Sequence, residues 1–224
     1  MERVFTKEEL EKMGKRTVDL LIEAIESDNK EEAKTLAKRM YSEFSAMHDV
    51  YVDWLAELMN YVYTCWGEDA LYQALRKIVN TSIPAMSTAA KADFRRRVQS
   101  VAFMLRGHLQ PLKVEEDDEK VTIMAEPCGS GQRLLEKGAY TSPRHLTLMQ
   151  KPHVITWGKT NFPIYCTHCP VLEILSIEQL GYPVTITFPA TDIAQKPCRI
   201  CLYKRVEDIP AEVYTRVGKQ ESIT

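Results

Sequence analysis

The chain reads as α+β, an N-terminal helical bundle packed on a smaller C-terminal antiparallel sheet domain that carries a cysteine cluster. Three observations predict this. Helix signals follow one another with few breakers as far as residue 110; after an acidic stretch over 115–119, β-rich runs alternate with loops and one helical segment. Four of the six cysteines, moreover, form two Cys-x-x-Cys pairs in that second half. A run of helices followed by a run of strands is the pattern of segregated α and β layers. The change of character sets two domains, residues 1–112 and 113–224.

Each helix has a local cause. Thr6 and Glu9 form a capping box, which starts a helix over 7–27 with Val18, Leu21, Ile22 and Ile25 on its apolar face. Asp28 with Glu31 repeats the signature, and residues 31–66 lack both Gly and Pro, so one long helix follows. Gly67 is a natural stop, and a shorter helix covers 68–80. Ile83-Pro84 resets the chain, and a further helix covers 85–106 before Gly107. Strands are expected at 121–126, 153–157, 183–188 and 199–204, with a helix over 166–180 closed by Gly181.

Composition narrows the function classes. With 45% hydrophobic and 27% charged residues the chain is an ordinary globular one. A net charge of -2 argues against a nucleic-acid partner. The Arg95-Arg96-Arg97 run reads as a solvated helix face. No run of about 18 apolar residues is present, and the N-terminus is charged from Glu2, so neither a membrane span nor a signal peptide is expected. A cytoplasmic location with reduced thiols follows, and it turns the cysteine pairs away from disulfides.

Two Cys-x-x-Cys pairs suggest a zinc ribbon first. The second pair, in PCRICLYK, lies in a β-branched and aromatic run without turn residues. Residues three apart in a strand point to opposite faces, so Cys198 is assigned to the site and Cys201 to the core. The first pair, in YCTHCP, precedes an apolar helical run, where a helix N-terminus lowers a thiol's pKa. Cys169 and Glu173 share a face there. Cys128 opens a Gly-Ser-Gly turn whose backbone N–H groups suit an anion. Cys128, Cys166, Cys169 and Cys198, with His168 as a further donor, make a soft donor set for which Zn²⁺ is the first metal. Iron is a lesser candidate, since an iron–sulfur cluster has cysteines enough but no ferredoxin-like spacing. A redox dithiol at Cys166 and Cys169 is an alternative, without the βαβ framework such proteins use.

The helical half holds an aromatic segment, residues 41–66, with His48 and the series Asp49, Asp53 and Glu57. A di-iron bundle needs Glu-x-x-His on two helices; Glu43 and His48 are five apart with no second copy. The acidic series reads as a solvated face. His48 reads either as a core histidine or, with Asp49, Tyr51 and Trp54, as the lining of a small-molecule pocket. Cys65 reads as core.

The segments MAEPCGSGQRL, CTHCPVLEILSIEQLG and PCRICLYK, over residues 120–204, resemble the L-2-amino-thiazoline-4-carboxylic acid hydrolase-like family in layout. That family also begins with a helical region. The resemblance implies hydrolysis of a small cyclic C=N or amidine-type ring with thiolates in the active site. It implies Cys128, Cys169 and Cys198 as functional cysteines and Glu173 in the acidic position. The Cys-x-x-Cys in place of one cysteine, the Gly-Ser-Gly and Cys201 depart from the pattern.

The sequence therefore predicts a cytosolic zinc–thiolate enzyme, a hydrolase or lyase, acting on a small organic molecule. Glu173 is its general acid/base and His48 a second catalytic candidate. Two alternatives stand beside it: a small-molecule-binding protein with a structural zinc, and a thiol oxidoreductase. No membrane partner is expected, and a homo-oligomer remains open.

Overall fold

The structure, a computed structural model, describes residues 4–190 and 197–220. Helices α1 (Lys7–Gly14), α2 (Thr17–Glu26), α3 (Lys30–Asn80), α4 (Ile83–Lys91) and α5 (Phe94–Arg106) come first. Strands β1 (Leu112–Glu116) and β2 (Lys120–Ala125), helix α6 (Gly131–Glu136), and strands β3 (Leu148–Met149) and β4 (Phe162–Pro163) follow. Helix α7 (His168–Leu180), strands β5 (Ile186–Phe188) and β6 (Arg199–Tyr203), and helix α8 (Ala211–Thr215) complete the order. The fold class is α+β. No described helix is long and apolar enough to cross a membrane.

The chain divides into compact units at residues 1–51 and 52–224, inside α3 rather than near residue 112. The cause lies in the core of the second unit. Val52, Ala56, Met59, Leu71, Leu75 and Val79 of α3 are buried in the same cluster as Ile174 of α7 and Ile186 of β5. The first unit has a small core of its own, Leu20, Ala24 and Leu36.

The capping box at Thr6 and Glu9 is present, with Thr6 N donating to Glu9 Oε2 at 2.7 Å. The expected helix over 7–27 is two helices, because Lys15 and Arg16 are extended. Their heads hold α2 from its start, Lys15 on Glu23 and Arg16 on Asp19, both at 2.7 Å. Asn29, not Asp28, accepts from the first turn of α3, through Glu32 N. The helix expected over 85–106 is likewise broken: Asp93 accepts from Arg96 N and starts α5 as its N-cap. Of the three consecutive arginines, Arg97 is buried and donates to Tyr203 O at 2.9 Å. It is no part of a solvated face.

Gly67 breaks α3 where the sequence places a stop. Its φ of 82° and ψ of -175° lie in a region open almost only to glycine. Gly181, at φ 85°, closes α7.

The four-stranded sheet is antiparallel throughout, in the order β1-β2-β6-β5. Register pairs Thr122 with Cys201 and Cys201 with Ile186. One face packs on α5, where Val101 and Ala102 meet Val121, Ile123 and Leu202. Cys201 and Ile186 belong to the larger core. Strand β1 occupies part of the stretch expected as a turn. Only its first residue is even partly buried, so it carries no alternating apolar signal. Residues 153–157, expected as a strand, form a 3₁₀ turn at Val154–Thr156. His153 caps that turn, accepting at Nδ1 from Ile155 N.

The hairpin turn is held by Asp117. Its Oδ1 accepts from Glu119 N and Lys120 N, and its Oδ2 from Lys120 Nζ at 2.8 Å. These donors, the Lys120 ammonium first, pull the carboxyl down to about 2.

Two outcomes follow from this geometry. Gly67→Ala places a Cβ in a forbidden backbone region and should cost about 1–3 kcal/mol in urea unfolding of the chain. An unchanged midpoint would refute the assigned φ. A depressed carboxylate contributes stability above its ordinary pKa of 3.8, and loses it as pH falls towards about 2. NMR titration of Asp117 should show a midpoint near 2, and Asp117→Asn should remove that acid-limb dependence.

Candidate functional site

Glu173, on the second turn of α7 and only 1% exposed, is the centre of a buried polar cluster. Both of its carboxylate oxygens are occupied. Oε2 accepts from Trp157 Nε1 at 2.8 Å, and Oε1 accepts from Thr187 N at 2.7 Å. Arg216 Nη2 donates to both oxygens at 2.8 Å and to Thr187 O at 2.9 Å. The guanidinium lies over the rings of Trp157 and Phe188, each 5.1 Å from its centre. Burial pushes the Glu173 carboxyl up, and the Arg216 charge with the three donors pulls it back. A carboxylate so surrounded ties α7 to β5 and to the segment after α8. Its lone pairs are already in use, which weighs against the sequence-derived role of proton carrier.

The cysteines are placed by α7, the turn before it and two loops. Cys166 lies in the 3₁₀ turn Ile164–Thr167, and Cys169 follows in the first turn of α7. The loop of Cys128 lies against Cys166: a Cβ built on Gly131 would stand 2.7 Å from Cys166 Sγ. Two backbone N–H groups of this loop, expected to suit an anion, are taken by side chains. Cys128 N donates to Gln132 Oε1 at 3.1 Å, and Gly129 N donates to Gln110 Oε1. Cys198 immediately precedes β6, while Cys201 within it is buried with its sulfur 3.6 Å from Thr122 Oγ1.

The thiols sense one another's charge. Burial pushes Cys166 and Cys169 well up, and their neighbours add to it: Cys169, Cys128 and Cys198 for Cys166; Cys198, Cys128 and Glu173 for Cys169. Burial also raises Cys198, Cys128 adds to it, and a hydrogen bond with the Ala190 backbone and the Lys159 charge oppose it. Cys201 is raised by burial, and none of the other four cysteines contributes to its shift. The expected lowering at the α7 N-terminus is therefore overturned. A helix end is worth roughly 0.3–1 kcal/mol to an anion, against several kcal/mol for removing an ion from water.

His168 is oriented by backbone. Its Nδ1 is 2.6 Å from Tyr165 O, an oxygen that can only accept, so Nδ1 carries the proton. Nε2 is left as an acceptor, 3.5 Å from Cys169 Sγ. The ring stands edge-on to Tyr165, and burial lowers its pKa, keeping it neutral. Tyr165 and Tyr140 complete the surroundings. Burial raises both phenols, and nearby thiols add to it: Cys169, Cys166 and Cys128 at Tyr165, Cys166 at Tyr140. Sequence reasoning missed both tyrosines and Ser130, the side-chain hydrogen-bond partner of Tyr165. Their one signal is adjacency, Tyr165 to Cys166 and Ser130 to the Cys128 loop.

Among the described residues no group of three or more His, Cys, Asp or Glu side chains stands where it could hold a metal ion. The donors fit a soft cation by chemistry, but ligation requires the thiols to turn towards one another.

The remaining candidates lie in the helices. His48 is on α3 in the first unit, its Nδ1 3.6 Å from Asp49 Oδ1. Tyr51 and Trp54, read as pocket lining with it, are 59% and 68% exposed. Asp53 and Glu57, expected on a solvated face, hold Arg144 at 2.7 and 2.8 Å. Cys65 is exposed, not core.

No family model, curated protein or solved structure matches this chain.

Removing one partner of a buried ion pair strands the other. Glu173→Gln should therefore lower stability by about 3 kcal/mol or more in chemical unfolding, and Arg216→Met by a similar amount. The double variant should cost less than the sum. Additive losses would show that the two side chains do not act as one unit.

Proposed function

We propose that the chain is a zinc–thiolate protein of the cytoplasm and that it hydrolyses a small cyclic C=N or amide-like substrate. One observation carries the metal: at Cys166, Cys169 and Cys198, where burial already disfavours thiolates, the charges of neighbouring thiols, Cys128 among them, disfavour them further. A cation among them relieves both penalties, and soft sulfur donors with an imidazole select Zn²⁺. Zn²⁺ so held supplies a polarised, acidified water. The chain's own part is positioning: with Nδ1–H anchored on Tyr165 O, His168 keeps Nε2 as a neutral donor 3.5 Å from Cys169 Sγ, the nitrogen that would face the metal. The reaction itself rests on the resemblance to the thiazoline carboxylate hydrolase-like family.

A second reading is favoured by Glu173. With both oxygens occupied, it leaves the site without a free carboxylate, as a non-catalytic zinc staple requires. The thiol oxidoreductase reading is the weakest, because the thiolate is the nucleophile and both thiols of the first pair are shifted away from it.

Metal analysis of the purified chain separates these readings. One zinc per chain is expected, lost in Cys128→Ser, Cys169→Ser and Cys198→Ser and retained in Cys201→Ser. Equal loss from Cys198→Ser and Cys201→Ser would restore a ribbon-type site, and a metal-free protein would end the proposal. Zinc with turnover of a cyclic amidine supports the enzyme; zinc without it supports the staple.

A further inference from the structure

The 3₁₀ turn between β3 and β4 ties one histidine to the buried ion pair. His153 Nδ1 accepts from Ile155 N at 3.3 Å. Thr156 Oγ1 closes the same turn, accepting from His153 N and donating to His153 O, both at 3.0 Å. A backbone N–H only donates, so Nδ1 carries no proton and the neutral ring has its hydrogen on Nε2. Ile155 is fully buried and stands at the start of the turn, where an N–H has no partner within the turn itself. The turn then sets Trp157. Gly158 N donates to His153 O at 3.0 Å, and Trp157 N to Val154 O at 3.4 Å. Trp157 is held at a φ of 50°, a left-handed backbone that a tryptophan keeps only where its surroundings impose it. From there its indole N–H reaches Glu173.

We propose that His153 is a pH switch: a proton on Nδ1 opens the turn and releases the indole bond that Trp157 makes to Glu173. A protonated imidazole has two N–H groups and no acceptor, so Nδ1–H would face the Ile155 N–H. Solvent can deliver that proton, because the His153 side chain is 22% exposed. Among the described residues, Asp69 and Tyr72 of α3 are the ionisable side chains in ion-pair or ring contact with it. Asp69 Oδ1 lies 4.0 Å from Nε2, and the Tyr72 ring, its hydroxyl bonded to Arg76, stands edge-on at 6.1 Å. Asp69 is 96% exposed, so its charge does little to stabilise the imidazolium against loss of the cap. On the Trp157 side the charged groups are Glu173 and Arg216. The turn is closed where the ring is neutral and opens as pH falls. The inference does not depend on the metal site.

NMR on the intact chain tests this. At about pH 8 the ring nitrogen shifts of His153 should show Nε2 protonated and Nδ1 bare. As pH is lowered to about 5, the His153 ring signals should titrate, since histidine is the side chain whose charge ordinarily changes in this range. The hydrogen-exchange protection of the Ile155 amide and the Trp157 indole should fall with them by about 10-fold, as expected when a buried donor loses its acceptor. His153→Asn supplies a cap oxygen that does not titrate, so it should keep the turn and abolish that dependence. A neutral His153 with its hydrogen on Nδ1 would overturn the proposal without any variant. A Trp157 indole indifferent to pH in the wild-type chain would overturn it too, as would a pH response that survives His153→Asn. The two wild-type readouts decide the matter if His153→Asn does not fold.

Discussion

Glu173 and Arg216 hold opposite charges where little water reaches either. The carboxylate is 1% exposed and the guanidinium side chain 16%. Neither is tolerable alone, so each fixes the position of the other. Through Thr187 they also hold β5, and through Trp157 the loop before β4. Cys169 sits one helical turn before Glu173, so the same pair fixes the helix that presents the thiol.

Above this anchor, two kinds of constraint meet. His168 is arranged by a backbone group, Tyr165 O, and the Cys128 loop by the side-chain amides of Gln132 and Gln110. The sulfur atoms themselves are constrained by charge, because each thiolate makes the next one harder to form. With their ionisation disfavoured, these buried thiols keep their protons.

Much of this was readable in the residues. The capping box at Thr6, the breaks at Gly67 and Gly181, and strands β2 and β6 are local signals that tertiary packing left intact. Alternation along β6 placed Cys201 in the core. What failed were readings that a partner overrides. Strand β1 is held by backbone pairing and carries charged side chains, so it looked like a turn. Arg97 looked solvated because its acceptor, Tyr203 O, is 106 residues away. Asp53 and Glu57 looked like a free stripe for want of Arg144. Cys65 looked like core because an apolar helical pattern does not say which of two faces is covered.

That last residue has a practical side. Of the six cysteines Cys65 is the exposed one, four are half-buried and Cys201 is buried. Any maleimide or Ellman assay will therefore register Cys65 ahead of the half-buried thiols. Experiments on those sulfurs belong in a background where residue 65 has been replaced, and the same side chain offers a ready handle for attaching a single fluorophore.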